Sequence, residues 1–248
     1  MLGFFDVLGF SARVEHEGIE AVAALYDRLL ARVDEATGPM VAMGVRRISD
    51  REGVPVIFNL PRKSAYFSDT ILLWADLEPL FVAPFLKRCS TLICEALMLD
   101  VPLRGAIAIG PAVMEPERGI YLGAPLVEAA RLEPRLGWLG AVIAESCAWP
   151  PFLAEAHPSQ IIEYAVPAKD PASADQIMPV ALDWPRLWRD ERAQDLMARL
   201  SQMAAETSHP YYSATMAFAE HSAANADWFE QPVKPDALLR LGPPPRSQ

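Results

Sequence analysis

Apolar positions along this chain recur with two different periods. Residues 17–35, "EGIEAVAALYDRLLARVDE", place Ile19, Val22, Ala23, Leu25, Tyr26, Leu29, Leu30 and Val33 at helical spacing, which predicts an amphipathic helix. Before it, the apolar run over residues 2–10 predicts a short buried strand. Short β-prone runs follow at 41–48 and 54–60, set apart by Gly38-Pro39, Asp50-Arg51-Glu52-Gly53 and Leu60-Pro61. Residues 64–75 predict a tight hairpin with Ser68-Asp69 at its turn, because Ser and Asp side chains bond nearby backbone N–H groups. A helix is expected over 78–99, stopped by Asp100 and Pro102, and then a strand over 103–113, "LRGAIAIGPAV". Residues 123–134 predict a short helix ended by Pro134, 140–146 and 160–166 two strands, and 190–207 and 212–229 two more helices.

The order β-α-β-β-α-β with additions is the split βαβ, ferredoxin-like order of an α+β fold, in which strands one and three lie side by side at the sheet centre. Beyond about residue 168 the texture changes. "PAKDPASADQ" is a polar, Pro-containing link, and the Ala-rich remainder predicts a helical C-terminal extension, 168–248, packed on a domain of residues 1–167. The tail "LGPPPRSQ" has the composition of a disordered segment.

At 52% hydrophobic and 22% charged, the 248 residues can bury a full core. A net charge of −10 argues against nucleic acid as a partner, but a nucleotide needs only a few focused basic groups. Cys89, Cys94 and Cys147 have no ligand spacing and are expected as reduced core residues, which fits the cytoplasm. His16, His157, His209 and His221 are scattered without ligand spacing too. No basic n-region precedes Asp6, and the apolar segment 77–99 carries Glu78, Lys87, Arg88 and Glu95, so neither a secretory signal nor a membrane span is expected.

Two carboxylates change this picture. "GFFDVLGF" sets Asp6 between Phe5 and Val7, and "AYFSDTILLW" sets Asp69 two residues after Phe67 in another apolar run. A buried carboxylate is costly unless it is paired or bound to a cation. In the ferredoxin-like order the two approach each other, and a shared hard divalent cation would account for both. Leu8-Gly9-Phe10-Ser11 reads as a sharp turn into a helix, whose backbone N–H groups at Gly9, Phe10 and Ser11 could hold phosphate oxygens. Arg104 opens a central strand and Arg131 lies on the 123–134 helix. Both can equally pair with Glu128 or Glu133, and Tyr66 can equally be core packing.

The series "FFDVLGFS … YFSDTILLW … LRGAIAIG … YLGAPLVEAARLE" resembles the class III nucleotidyl cyclases over about residues 3–134. Their pattern is Asp-Ile-x-Gly-Phe, a Gly-Asp hairpin, Arg-x-Gly-Ile-x-x-Gly and Gly-x-x-Val-Asn-x-x-x-Arg. The chain departs from it at informative places. Ser68 replaces the hairpin Gly, Ala65 stands where a Lys reads adenine, Ile120 where its polar partner stands, and Val127 where an Asn steadies the transition state. With both purine-reading positions apolar, the chain is similar to the Pycsar antiphage pyrimidine cyclases.

That resemblance implies a homodimer with composite sites that turns a pyrimidine triphosphate into cyclic UMP or cyclic CMP and pyrophosphate, the product activating a separate effector; UTP is the expected substrate. It implies two Mg²⁺ or Mn²⁺ ions on Asp6, Asp69 and the carbonyl of Val7, and Arg131 supplied from the partner subunit. For reading uracil, Arg104 offers donors suited to two carbonyl acceptors, with Tyr66 the weaker candidate. A cytidylate cyclase, a purine cyclase with a rearranged pocket, and an inactive cyclase-like regulatory module stay open at this point.

Overall fold

The structure is a computed structural model that describes residues 1–38, 41–46, 54–59, 63–149, 152, 156, 160–207 and 210–226. The expected disordered tail, together with His157 and His209, lies outside the described residues.

The chain is α+β, with a mostly antiparallel sheet. Strands β1 (Leu2–Val7), β4 (Lys63–Phe67), β5 (Thr70–Trp74), β6 (Leu103–Ala108), β9 (Gly140–Ile143), β10 (Ile161–Glu163) and β11 (Val180–Leu182) form one sheet in the order β10-β11-β9-β6-β1-β5-β4. β1 is central and pairs antiparallel with both β5 and β6. Among the described residues, only β6 and β9 pair in parallel. The four-strand unit β6-β1-β5-β4 has the split βαβ order expected from the sequence.

Alternation along β1 assigns its residues to two faces. Phe5 and Val7 join Ile71 and Leu73 in the main core, against Leu25, Tyr26 and Leu29 of α2 (Ile19–Thr37) and Phe85, Cys89 and Leu92 of α3 (Pro79–Met98). Leu2 and Phe4 turn the other way, onto Leu72, Trp74 and Tyr121. That second face is covered by the ribbon of β7 (Ala112–Glu115) and β8 (Ile120–Gly123) and by α4 (Ala124–Leu132), which packs across β1 and β6. Between α2 and β4 a separate antiparallel ribbon, β2 (Val41–Arg46) and β3 (Val54–Asn59), occupies the two β-prone runs. All three cysteines are buried and free, and burial pushes their thiols far up.

Four expectations need correction. The first strand stops at Val7, because Gly9 turns the chain at φ 77° into α1 (Phe10–Glu17). The strand expected over 103–113 is two: β6 ends at Ala108, and beyond Gly110-Pro111 the chain leaves the sheet as β7. The helix expected over 190–207 is broken into α5 (Trp184–Glu191) and α6 (Leu196–Thr207), because the Asp195 carboxylate caps the second by accepting the Met197 N–H at 2.8 Å. The segment after residue 168 is not purely helical: β11 lies inside the sheet, between β9 and β10.

Helices α5, α6 and α7 (Tyr211–Ala224) are fastened to the rest by buried polar contacts. Glu95 on α3 pairs with Arg32 at 2.6 Å and with Arg192. The Arg199 guanidinium donates to the Leu97 carbonyl and Asp100 carboxylate at the end of α3, where cations suit the orphan carbonyls. Among the described residues, no helix is long and apolar enough to cross a membrane.

Candidate active site

The carboxylate of Asp6 sits at the C-terminal end of β1, directly opposite Thr70 of β5 and Arg104 of β6. Cross-strand partners share a face, so Asp6 and Arg104 lie together on the side covered by α4. Asp69 occupies the two-residue turn between β4 and β5, where Phe67 pairs with Thr70. Ser68 there adopts φ 51°, a left-handed conformation that glycine, usual at this place in the resembled pattern, takes more readily. The Val7 N–H donates to the Asp69 carbonyl at 2.7 Å, latching the turn to the end of β1. The two carboxylates predicted from sequence are thus brought to one place.

Arg104 is buried and engaged on every side. Its Nε and Nη2 meet Oε1 of Glu133, which follows α4 in a 3₁₀ turn, and Nη2 also reaches Asp6 Oδ2 at 3.3 Å. Its Nη1 donates to the Leu136 carbonyl at 3.3 Å and to Tyr211 Oη at 3.2 Å. Burial raises the Asp6 carboxyl above its ordinary pKa; the Arg104 charge opposes that shift and the nearby Asp69 charge adds to it. Burial likewise pushes Glu133 up, to about 7, again against Arg104 and with Asp6 adding to the shift. One guanidinium therefore serves two carboxyl groups in a poorly hydrated place.

Other predicted residues are distributed less evenly. Ala65 shares the Asp6 face but is half-buried in the apolar cluster of Trp74 and Tyr121. Ile120 lies on β8, half-buried. Tyr66 turns to the opposite face: its hydroxyl donates to Asp27 of α2 at 2.8 Å and its ring meets Tyr26 edge-on at 5.4 Å. Strand alternation therefore removes Tyr66 from the neighbourhood of Asp6. Arg104 has its donors committed within the chain, which takes it out of base reading. Gly9 precedes α1, Ser11 is exposed, and Phe10 packs against Tyr26 with ring centroids 6.3 Å apart. Val127 and Arg131, one helical turn apart on α4, are both exposed. They line an open cleft of about 700 Å³ between α4 and residues 175–179.

No protein-family model matches the chain, and comparison with characterised proteins and with solved structures gives no match either. The site is therefore read from its own geometry. Among the described residues, no three side chains of His, Cys, Asp or Glu stand together as metal ligands. Two carboxylates are nonetheless a fitting donor set for Mg²⁺ or Mn²⁺, hard cations that keep water and phosphate oxygens in their remaining positions.

Sequence reasoning missed Glu133 as a site residue, and Lys169 and Tyr211 altogether. Glu133 was visible only as one of two acids able to pair with Arg104. Lys169 and Tyr211 carried no local signal, yet Lys169 Nζ and Arg104 Cζ lie 5.7 Å and 5.5 Å from the centroid of the Tyr211 ring.

Proposed function

We propose that this chain is a nucleotidyl cyclase of class III type that closes a pyrimidine nucleoside triphosphate, UTP or CTP, to its 3′,5′-cyclic monophosphate. The observation that carries the reading is the junction of Asp6 and Asp69. The strand end that carries Asp6 and the hairpin turn that carries Asp69 are joined by the backbone bond from Val7 N–H to the Asp69 carbonyl, close enough for the Asp69 charge to act on the Asp6 carboxyl.

In the reaction the ribose 3′-oxygen bonds to the α-phosphorus, the bond from that phosphorus to the β-phosphate bridging oxygen breaks, pyrophosphate leaves and the hydroxyl proton is released. Two Mg²⁺ or Mn²⁺ ions held by Asp6, Asp69 and the Val7 carbonyl would supply the lowered hydroxyl pKa and neutralise the leaving group. The chain's own residues do the rest. Asp6 is oriented by Arg104, and Asp69 by the latch to Val7. Backbone N–H groups of Gly9, Phe10 and Ser11 at the start of α1 face the triphosphate. Arg131 steadies charge on the α-phosphoryl oxygens from the partner subunit. Its exposure on α4, open to a partner, supports a composite site.

A homodimer is supported by apolar exposure on neighbouring elements. Phe67, Val113, Leu122 and Val127 are 44%, 48%, 62% and 49% exposed, and Phe67 stacks on Tyr121 of the β7–β8 ribbon that carries Val113 and Leu122. By the same resemblance, the cyclic product would signal to a separate effector in the cytoplasm during antiphage defence. One observation favours a second reading. Val127 presents an aliphatic side chain where the resembled enzymes use an Asn, which suits a cyclase-like module that dimerises without turning over.

Turnover by the wild type separates the two readings, and Asp6→Asn and Asp69→Asn test the mechanism. Asn keeps the shape and removes the charge that holds the cation, so each variant should lose cyclic-nucleotide formation while keeping the wild-type circular dichroism and melting behaviour. Near-normal turnover in either variant would sink the cyclase mechanism.

A further inference from the structure

We propose that Tyr211 is a positioning residue, fixing the Arg104 guanidinium against Asp6 and Glu133 and making the C-terminal helix α7 part of the site. The consequence for turnover rests on the cyclase reading; the contact does not. Arg104 Nη1 donates to Tyr211 Oη at 3.2 Å, and the ring of Tyr211 lies 5.5 Å from Arg104 Cζ. Lys169 Nζ lies 5.7 Å from the same centroid, so one ring gathers two cations beside the carboxyl groups.

The other partner of Nη1 is the Leu136 carbonyl. The segment that supplies it is tied to α7 as well. The Leu139 N–H donates to Thr215 Oγ1 at 2.9 Å, and Trp138 meets Phe218 edge-on at 4.5 Å. Further along, His221 Nε2 lies 2.8 Å from the Glu163 carbonyl. A shift of α7 therefore moves both partners of Nη1 together. The guanidinium fork is planar and rigid, so turning Nη1 also turns the Nε and Nη2 that hold Glu133 and Asp6.

The test compares Tyr211→Phe, which keeps the ring and loses the hydroxyl, with Tyr211→Leu, which loses both, in the full chain. The first readout is water exchange of the Arg104 Nε–H in ¹H–¹⁵N spectra, the resonance being identified by its loss in Arg104→Lys. Exchange should quicken by about tenfold in Tyr211→Leu and by less in Tyr211→Phe, as local protection is lost. The second readout is cyclic UMP formation with Mn²⁺. In Tyr211→Leu kcat should fall about tenfold or more with the KM for UTP changed less than about twofold, as expected for a misplaced group and not for lost substrate binding. Tyr211→Phe should restore part of the rate.

Unchanged Arg104 exchange in both variants overturns the inference, whatever the activity. Quickened exchange with full kcat also overturns it. Quickened exchange in a chain whose wild type forms no cyclic nucleotide supports the Tyr211–Arg104 coupling and removes the cyclase reading instead.

Discussion

Arg104 meets two carboxyl groups at once, and that arrangement sets how stability follows pH. Glu133 has its pKa raised from 4.5 to about 7 by burial, and Asp6 is raised as well. A raised carboxyl means that the native state holds protons which the unfolded chain releases. Stability should therefore fall as pH rises from about 4.5 to about 7 and level off above. A tenfold difference in proton affinity is worth about 1.4 kcal/mol, and partial solvent screening of Glu133 puts the whole loss on the order of 1–3 kcal/mol. Urea midpoints of the wild type in metal-free buffer should drop across that window, and Glu133→Gln, which still accepts from Arg104, should flatten the drop. An equal slope in both proteins would mean that Glu133 is ionised throughout. At this scale the sequence was partly legible. Asp6 and Asp69 stood out because carboxylates interrupt apolar runs. Glu133 and Tyr211 did not, because their meaning depends on Arg104, 29 and 107 residues away.

Elements are held in register here by close backbone approach as much as by side chains. Gly105 on β6 faces Phe5 of β1, and a Cβ built there would fall on the Phe4 carbonyl oxygen and within 2.8 Å of the Phe5 ring. Backbone cannot yield as a side-chain tip does, so Gly105→Ala should push β6 from β1 and cost about 2–3 kcal/mol. Because Arg104 is the next residue, activity should fall with stability, a joint loss that thermal melting and turnover assays would both register. Melting within a degree of wild type would contradict the close packing of these two strands. Long periodic elements such as α2 and α3 were legible, since their apolar faces span several turns. The three-residue strand β11 was not, since three residues cannot display alternation. The break between α5 and α6 was marked only by Asp195, whose capping role emerges once the helix is seen to begin at Leu196 and the Met197 N–H to need an acceptor.

Across the whole molecule, the sheet does not end where the composition changes. β11 enters between β9 and β10, and Trp184, Trp188 and Phe218 complete the core from the C-terminal side. Texture alone puts a boundary near 168, because a polar link looks the same whether or not the chain returns to the sheet. The proposed dimer belongs to this scale. Inactive Asp69→Asn and inactive Arg131→Ala subunits, mixed and allowed to exchange, should regain about a quarter of wild-type activity, since random pairing makes half of the dimers mixed and each of these carries one intact composite site. Mixtures no better than either parent would place both residues in one chain's own site.

The most direct measurement is product identity. The pure chain is incubated with Mn²⁺ and, separately, with ATP, GTP, CTP and UTP, and any cyclic nucleotide is identified by mass. Cyclic UMP from UTP or cyclic CMP from CTP is expected, and little from either purine. Rapid conversion of ATP with UTP inert, or no cyclic product from any of the four, would contradict the assignment of a pyrimidine cyclase.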